Sequence, residues 1–473
     1  MPHLSSPQQL VEAALESSTA DGCIVIVTER GEANLRWASN SLTTNGEMRS
    51  RSVTIISTFG AQGGTAYGAV DRSIVNVAEI SELVAASEAA ARSADPATDA
   101  MPLITPAQCG ITSAFEQGPE PISIGDFAPL TADLGSIFAE AAAADRRYFG
   151  FAEQIIDTIY LGTSTGLRLR HVQPTGRVEL NAKSADWSRS AYLGFSVRDP
   201  KEADVRAAGA ELTKRLDWAK RRIELPAGRY ETIMPPTTVA DLYVFASFFA
   251  DAKQTDEGRT AYSKPSGGAR IGEVISSLPV NLFTDPAYDG VQTAPFVISR
   301  TSSADSSIFD NGAPIGRDYW YRDGALAALN GTRAYAQASA TAGFNTPVHS
   351  LGDNLIMEGD RETSTKSLAE IVAGTERGLL LSTLWYIRVV DPQNLLLTGL
   401  TRDGVYLIED GEVSGAVNNF RFNESPLSLM GRIAEVGATE RCYPREWGDW
   451  FTRAAFPPLR VNDFNMSSVS QAQ

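Results

Sequence analysis

The residues Gly162-Thr163-Ser164-Thr165-Gly166 have the spacing of a G-x-S-x-G nucleophile elbow, in which a serine stands on a sharp turn between a strand and a helix. Such a serine needs a helix behind it. Here Leu167-Arg168-Leu169-Arg170-His171-Val172 alternates apolar and polar residues with period two, so the glycines read as closing a hairpin between two strands, 154–161 and 167–180. Cys442, in Thr439-Glu440-Arg441-Cys442-Tyr443-Pro444, is a second nucleophile candidate, because Arg441 and Arg445 pointing at it would favour the thiolate. Without such an arrangement it is a lone thiol. Histidine chemistry is scarce: the chain has 3 histidines, His3, His171 and His349, and none forms H-E-x-x-H or stands three or four residues from another. His349 lies in a polar turn, Thr346-Pro347-Val348-His349-Ser350. The Asn418-Asn419-Phe420-Arg421-Phe422-Asn423-Glu424-Ser425 segment interleaves apolar and polar residues as a strand does. Asn418, Arg421 and Glu424, with His349, are the candidates for gripping a peptide or a partner, Arg being favoured at interfaces. The Gly60-Ala61-Gln62-Gly63-Gly64 and Ser266-Gly267-Gly268 clusters match no phosphate-binding fingerprint and read as turns.

The elements that must position these residues come from a chain of 473 residues, 43% apolar and 21% charged, enough for two or three ordinary cores. Acidic residues outnumber basic ones by 57 to 41, a formal charge of −16, with no Lys/Arg block to follow a phosphate backbone, which argues against nucleic-acid binding. The 3 cysteines, Cys23, Cys109 and Cys442, form neither a disulfide framework nor a metal knuckle. The longest apolar stretch, 239–250, falls short of the roughly 20 residues that span a bilayer and contains Asp241. With no secretory pattern over Met1–Ala20, a cytoplasmic protein that avoids membranes is expected.

Periodicity predicts helices at 8–16, 77–92, 133–147 and 202–218, and strands at 23–28, 33–39 and 52–59, with Asn45-Gly46 turning between the last two. A proline-rich connector follows at 93–108. After Pro226-Ala227-Gly228, a strand from Tyr230 leads into a strongly apolar helix over 238–253, capped by Thr238 with Asp241 three residues on. Short strands dominate thereafter, with hairpin signals at Asp323-Gly324, Asp403-Gly404 and Asp410-Gly411, and one helix at 367–372. The expected fold class is α+β: a mixed α/β N-terminal domain over 1–225, then a mainly antiparallel β domain over 226–473 with a central helix.

The run Thr398-Gly-Leu-Thr-Arg-Asp-Gly-Val-Tyr-Leu-Ile-Glu-Asp-Gly-Glu-Val-Ser-Gly-Ala-Val-Asn-Asn-Phe-Arg-Phe-Asn-Glu-Ser425 resembles the C-terminal sheet of the TldD/PmbA (TldE) metallopeptidase family. Further segments resemble the family in order: 35–46, 148–152 and 164–169 in the N-terminal half, then 307–312, 373–382 and 458–466. In the catalytic branch a helix carries H-E-x-x-x-H and a C-terminal cysteine completes the zinc site. The corresponding helix here reads Leu242-Tyr-Val-Phe-Ala-Ser-Phe-Phe-Ala-Asp251, without histidine or glutamate, although Cys442 stands near the position of the family's cysteine. The resemblance therefore implies the PmbA/TldE-like branch, with no catalytic or metal-ligating residue and no cofactor in this chain. It also implies a TldD-like zinc subunit as partner in a heterodimer that cleaves unfolded or extended peptides, in housekeeping proteolysis or in maturing a peptide natural product. The alternatives are a free-standing hydrolase using Ser164 or Cys442, and a homo-oligomeric peptide-binding protein.

Overall fold

A computed structural model describes residues 5–73 and 76–471 of the chain; His3 lies outside the described residues. The chain enters through α1 (Pro7–Ser17), whose first turn is closed by a capping box between Ser6 and Gln9. Three antiparallel strands follow, β1 (Gly22–Ala38), β2 (Ser41–Ala61) and β3 (Gly64–Ser73), then α2 (Val77–Ser93) and the short α3 (Pro106–Cys109). The expected pair of strands at 23–28 and 33–39 is thus one long strand. Its hairpin turns at Ser39 and Asn40, both with positive φ, while Asn45 and Gly46 lie inside β2. α2 packs on the sheet through Gly68, where a Cβ would stand 2.3 Å from the main-chain nitrogen of Ala91.

Next come α4 (Ala128–Ala143), β4 (Arg146–Thr163), β5 (Arg168–Ser184), β6 (Ser190–Val197) and α5 (Val205–Trp218), completing a sheet of order β3-β2-β1-β4-β5-β6. α4 begins and ends earlier than its Ala-rich pattern predicts, because Pro129 enters its first turn and Arg146 and Arg147 are already paired in β4.

The second half builds around β7 (Arg222–Ile223), β8 (Gly228–Met234), α6 (Pro236–Ser247) and α7 (Ala252–Asp256). The single helix expected over 238–253 is broken into these two, with Asp251 capping the second through Gln254 N–H. Thr238 is no cap. It lies within α6, its hydroxyl donating to the Pro235 carbonyl. Ten of the 12 residues of α6 are buried, so the helix is surrounded by core on all sides.

Strands β9 (Asn281–Thr284), β10 (Asp318–Arg322) and β11 (Ala325–Leu326) join one sheet, and β12 (Leu329–Asn330) leads into α8 (Arg333–Thr341), a helix the sequence pattern did not reveal. β13 (Val348–His349) pairs with β12, and β14 (Leu355–Glu358) and α9 (Leu368–Ala373) follow, the latter capped by Ser367 with Glu370. The main C-terminal sheet is formed by β15 (Arg377–Asp391), β16 (Leu396–Glu409), β17 (Glu412–Val417), β18 (Asn419–Glu424), α10 (Pro426–Met430) at its end, and, after β19 (Ile433–Val436), β20 (Glu440–Cys442) and β21 (Ala454–Phe456), by β22 (Leu459–Ser470). Its order is β15-β8-β22-β18-β16-β17-β7, mostly antiparallel, with parallel pairs at β15–β8 and β17–β7. Asp323-Gly324 and Asp410-Gly411 turn hairpins as predicted. Asp403-Gly404 instead bulges the interior of β16. Helices and sheets in both halves make the protein a mixed α and β fold, its largest core lying between α6 and the two C-terminal sheets. Among the described residues no helix is long and apolar enough to cross a membrane.

Candidate functional site

Asp241 on α6 and Cys442 on β20 are two buried ionisable groups of the C-terminal half. Asp241 is fully buried; its Oδ1 accepts the Glu446 N–H at 3.0 Å, its main-chain oxygen accepts the Trp447 indole N–H at 2.7 Å, and Oδ2 has no partner. Burial pushes its carboxyl well above the usual range, the Glu446 N–H opposing, the Glu446 carboxyl adding to the rise and Arg445 opposing. Cys442 is buried too, and desolvation, with Asp241 and Glu440 nearby, drives its thiol well above its ordinary value. The arginines expected to activate it turn elsewhere, Arg441 to Glu202 and Arg445 to Asp403. One thiol and one carboxyl, with no imidazole beside them, do not make the ligand set of a zinc site. Among the described residues no group of three or more His, Cys, Asp and Glu is placed to hold a metal ion.

A carboxyl whose folded pKa is raised stabilises the fold below its unfolded pKa and loses that contribution as pH rises toward the folded value. Asp241→Asn keeps the acceptor for Glu446 N–H and removes the titration. Relative to the parent, the variant is expected to have similar stability near pH 4 and a growing advantage above the ordinary carboxyl range, at most about 1.4 kcal/mol per pH unit. Urea unfolding across pH 4–8 checks this; parallel curves would show that Asp241 does not titrate differently in the two states.

Ser164 sits at the tip of the β4–β5 hairpin, where its Oγ accepts the Cys23 N–H at 3.0 Å and its own N–H donates to the Cys23 carbonyl at 2.9 Å. The strand-turn-strand setting has no helix behind the serine. Of the four binding candidates, Asn418 receives the Leu225 N–H at 2.8 Å, Arg421 is exposed and donates to Thr398 Oγ1 at 3.3 Å, and Glu424 is 3% exposed. Glu424 pairs with Arg432 through both terminal guanidinium nitrogens and accepts the Asn465 N–H at 2.6 Å. The Arg421–Glu424 proximity in sequence is therefore not a contact; adjacent strands face them differently. His349 lies in β13, its Nδ1 3.4 Å from Asp318 and its ring edge-on to Trp320. Among the described residues it shares no partner with the other three.

A cleft of about 280 Å³ separates the outer face of β4 and β5 from the segment 448–453. Arg177 crosses it to Asp449 at 2.6 Å while holding Glu153 at 3.2 Å, and Arg453 donates to Thr175 at 2.8 Å. His171 lines the cleft with Nε2 3.0 Å from Gln173 Oε1, burial depressing its basicity. Trp450, on the rim, is 85% exposed. Trp447 stacks on Phe245 of α6 at 4.6 Å and meets Phe248 edge-on, and Glu446 accepts the N–H groups of Tyr386 and Ile387. Phe248, Tyr386 and Trp450 thus present exposed aromatic faces, 41%, 56% and 85%, all tied to residues 446–450. The sequence signal was there, two tryptophans three residues apart in a polar loop, but only packing on α6 marks the segment as a surface.

The model of the PmbA/TldA metallopeptidase C-terminal domain matches residues 227–468, and the chain belongs to the PmbA/TldD metallopeptidase family. Its fold is similar to that of TldE from Thermococcus kodakarensis, with 15% identity and a TM-score of 0.72 over 98% of this chain and 99% of that one. It is also similar to proposed modulators of DNA gyrase from Thermotoga maritima (14%, TM-score 0.70, covering 94% of this chain and 95% of that one) and Bacteroides thetaiotaomicron (14%, 0.73, 98% of each). No curated protein matches the chain.

Proposed function

We propose that this chain is the non-catalytic subunit of a zinc metallopeptidase pair, working with a relative that carries the family's H-E-x-x-x-H and its zinc. The observation that carries this reading is α6 with β20: the helix brings Asp241 rather than histidine and glutamate to the core, and Cys442 beside it is a buried, protonated thiol. Neither water activation nor a metal shell can be assembled from these groups. The partner supplies zinc and chemistry; this chain supplies a wall, so that only an unfolded or extended peptide reaches the metal. The exposed aromatics on residues 446–450 and at Phe248 and Tyr386 support an interface in the C-terminal half, since aromatic side chains are favoured at interface cores. The proposed division into units at 1–225 and 226–473 follows the same logic, although β7, ahead of residue 226, already pairs with β17.

Co-purification with a zinc-bearing relative, then zinc analysis and peptide digestion, is the test. In the assembled pair, Ser164→Ala and Cys442→Ala are each expected to leave cleavage within a few-fold of the parent. A loss of about a thousandfold or more in either variant, the scale of a missing nucleophile, would instead favour the free-standing hydrolase.

A further inference from the structure

The C-terminal sheet opens where β16 changes partner. Its first half pairs with β18, Leu397 to Leu400 against Glu424 to Arg421, and its second half with β17, Val405 to Glu409 against Val417 to Glu412. Between them Asp403 and Gly404 take positive φ, 56° and 119°, and the strand bulges. A cavity of about 410 Å³ lies at this opening, bounded also by the start of β6, by β7 and by the end of β22.

Tyr406 lines the cavity, and its hydroxyl, in a residue only 1% exposed, has no hydrogen-bond partner among the described residues. Its ring is wedged edge-on against Trp218 at 5.1 Å. The oxygen lies over Gly404, where a Cβ would approach it to 2.3 Å, so the bare glycine leaves the phenol its place. A buried hydroxyl without a partner is destabilising, and one in a residue that lines a cavity calls for an occupant that accepts its hydrogen bond.

The charges point the same way. Arg189 and Arg222 line the cavity and donate to main-chain carbonyls, of Leu216 and Ser188 respectively; no carboxylate among the described residues forms an ion pair with either. Asp403 also lines it but is matched by Arg445 and Arg402, and Glu224 is exposed to water. Asp186 lies within the electrostatic reach of Arg189 but is bound by Ser184 and Ser188, so in a chain of charge −16 the cavity carries two guanidinium groups with no carboxylate among the described residues in ion-pair contact. A phenol donor and two forked cations suit an acceptor-only anion.

We propose that this cavity binds a small oxyanion, a carboxylate or a phosphate, with the Tyr406 hydroxyl donating one hydrogen bond and Arg189 and Arg222 supplying the charge. None of these residues belongs to α6 or β20, so the site stands or falls apart from the peptidase reading.

Titration calorimetry of the full chain at low ionic strength, with inorganic phosphate and with N-acetylglycine as probes, tests it. Saturable binding of at least one probe is expected, weakened about tenfold by Tyr406→Phe and by Arg189→Gln. Binding of phosphate alone assigns the site to phosphate, and binding of N-acetylglycine alone assigns it to carboxylates. Without probe, Tyr406→Phe is expected to melt at or above the parent temperature, because it removes an unpaired polar group. The proposal is overturned by no saturable binding to the parent, by equal binding to the variants, or by a melting temperature of Tyr406→Phe several degrees below the parent's, which would show that the hydroxyl already has a partner within the protein.

Discussion

Mixed with a zinc-bearing relative that carries H-E-x-x-x-H, this chain is expected to form a stable complex that digests an unfolded peptide at least about tenfold faster than the relative alone, while this chain alone digests none. The expectation rests on a division of chemistry from enclosure. On the proposed reading the buried Asp241 and Cys442 supply neither nucleophile nor metal shell, so the gain in rate comes from closing the partner's site and positioning an extended segment in it. The same surface supplies a control. Trp450, 85% exposed, is the largest uncovered aromatic on the proposed interface, and Trp450→Ala is expected to weaken the complex by about 2 kcal/mol, roughly thirtyfold in Kd, without altering the fold. Size-exclusion chromatography with light scattering and a peptide digestion assay read both. A relative that is fully active by itself and forms no complex with this chain would end the partner-subunit reading.

Arg432→Ala is expected to destabilise the protein by about 3–5 kcal/mol. Glu424 is 3% exposed and held by both terminal guanidinium nitrogens of Arg432, which also donates to the carbonyls of Asn462 and Asp463, so truncation strands a carboxylate in a nearly dry site and leaves two carbonyls unserved. Glu424→Gln in the same background removes the stranded charge and should recover part of the loss, because the Asn465 N–H can still be accepted. Denaturant unfolding of the two variants measures it. A loss below about 1 kcal/mol, the scale of a surface pair, would mean that water reaches Glu424 after all.

Glu424 shows how sequence reading and structure part company. Its strand was legible, since Val417, Phe420 and Phe422 alternate with polar residues and β18 forms where that pattern lies. Its partner was not. Arg421 is nearer in sequence, but β18 turns residues 421 and 424 to opposite faces, and the partner comes from beyond α10. Glycine turns behaved similarly. Asp410-Gly411 and Asp323-Gly324 reverse the chain, whereas Asp403-Gly404, with the same positive φ, only bulges β16, because β15 continues to pair on both sides of it, Leu381 with Val405 and Thr383 with Arg402. The dipeptide sets a backbone conformation, and neighbouring strands decide what that conformation becomes.

From the residues alone came the α+β class, the apolar helix leading the C-terminal half, the hairpin at Ser164 and the family, because periodicity, turn chemistry and ordered segments are local or cumulative properties of a chain. The break between α6 and α7, the burial that pushes the Cys442 thiol and the Asp241 carboxyl above their ordinary ranges, the aromatic surface on residues 446–450 and the unpaired hydroxyl of Tyr406 were decided by tertiary structure. Each depends on groups brought together from distant parts of the chain, as Asp241 is with Glu446 and Cys442, and desolvation or the lack of a partner exists only once those neighbours are in place.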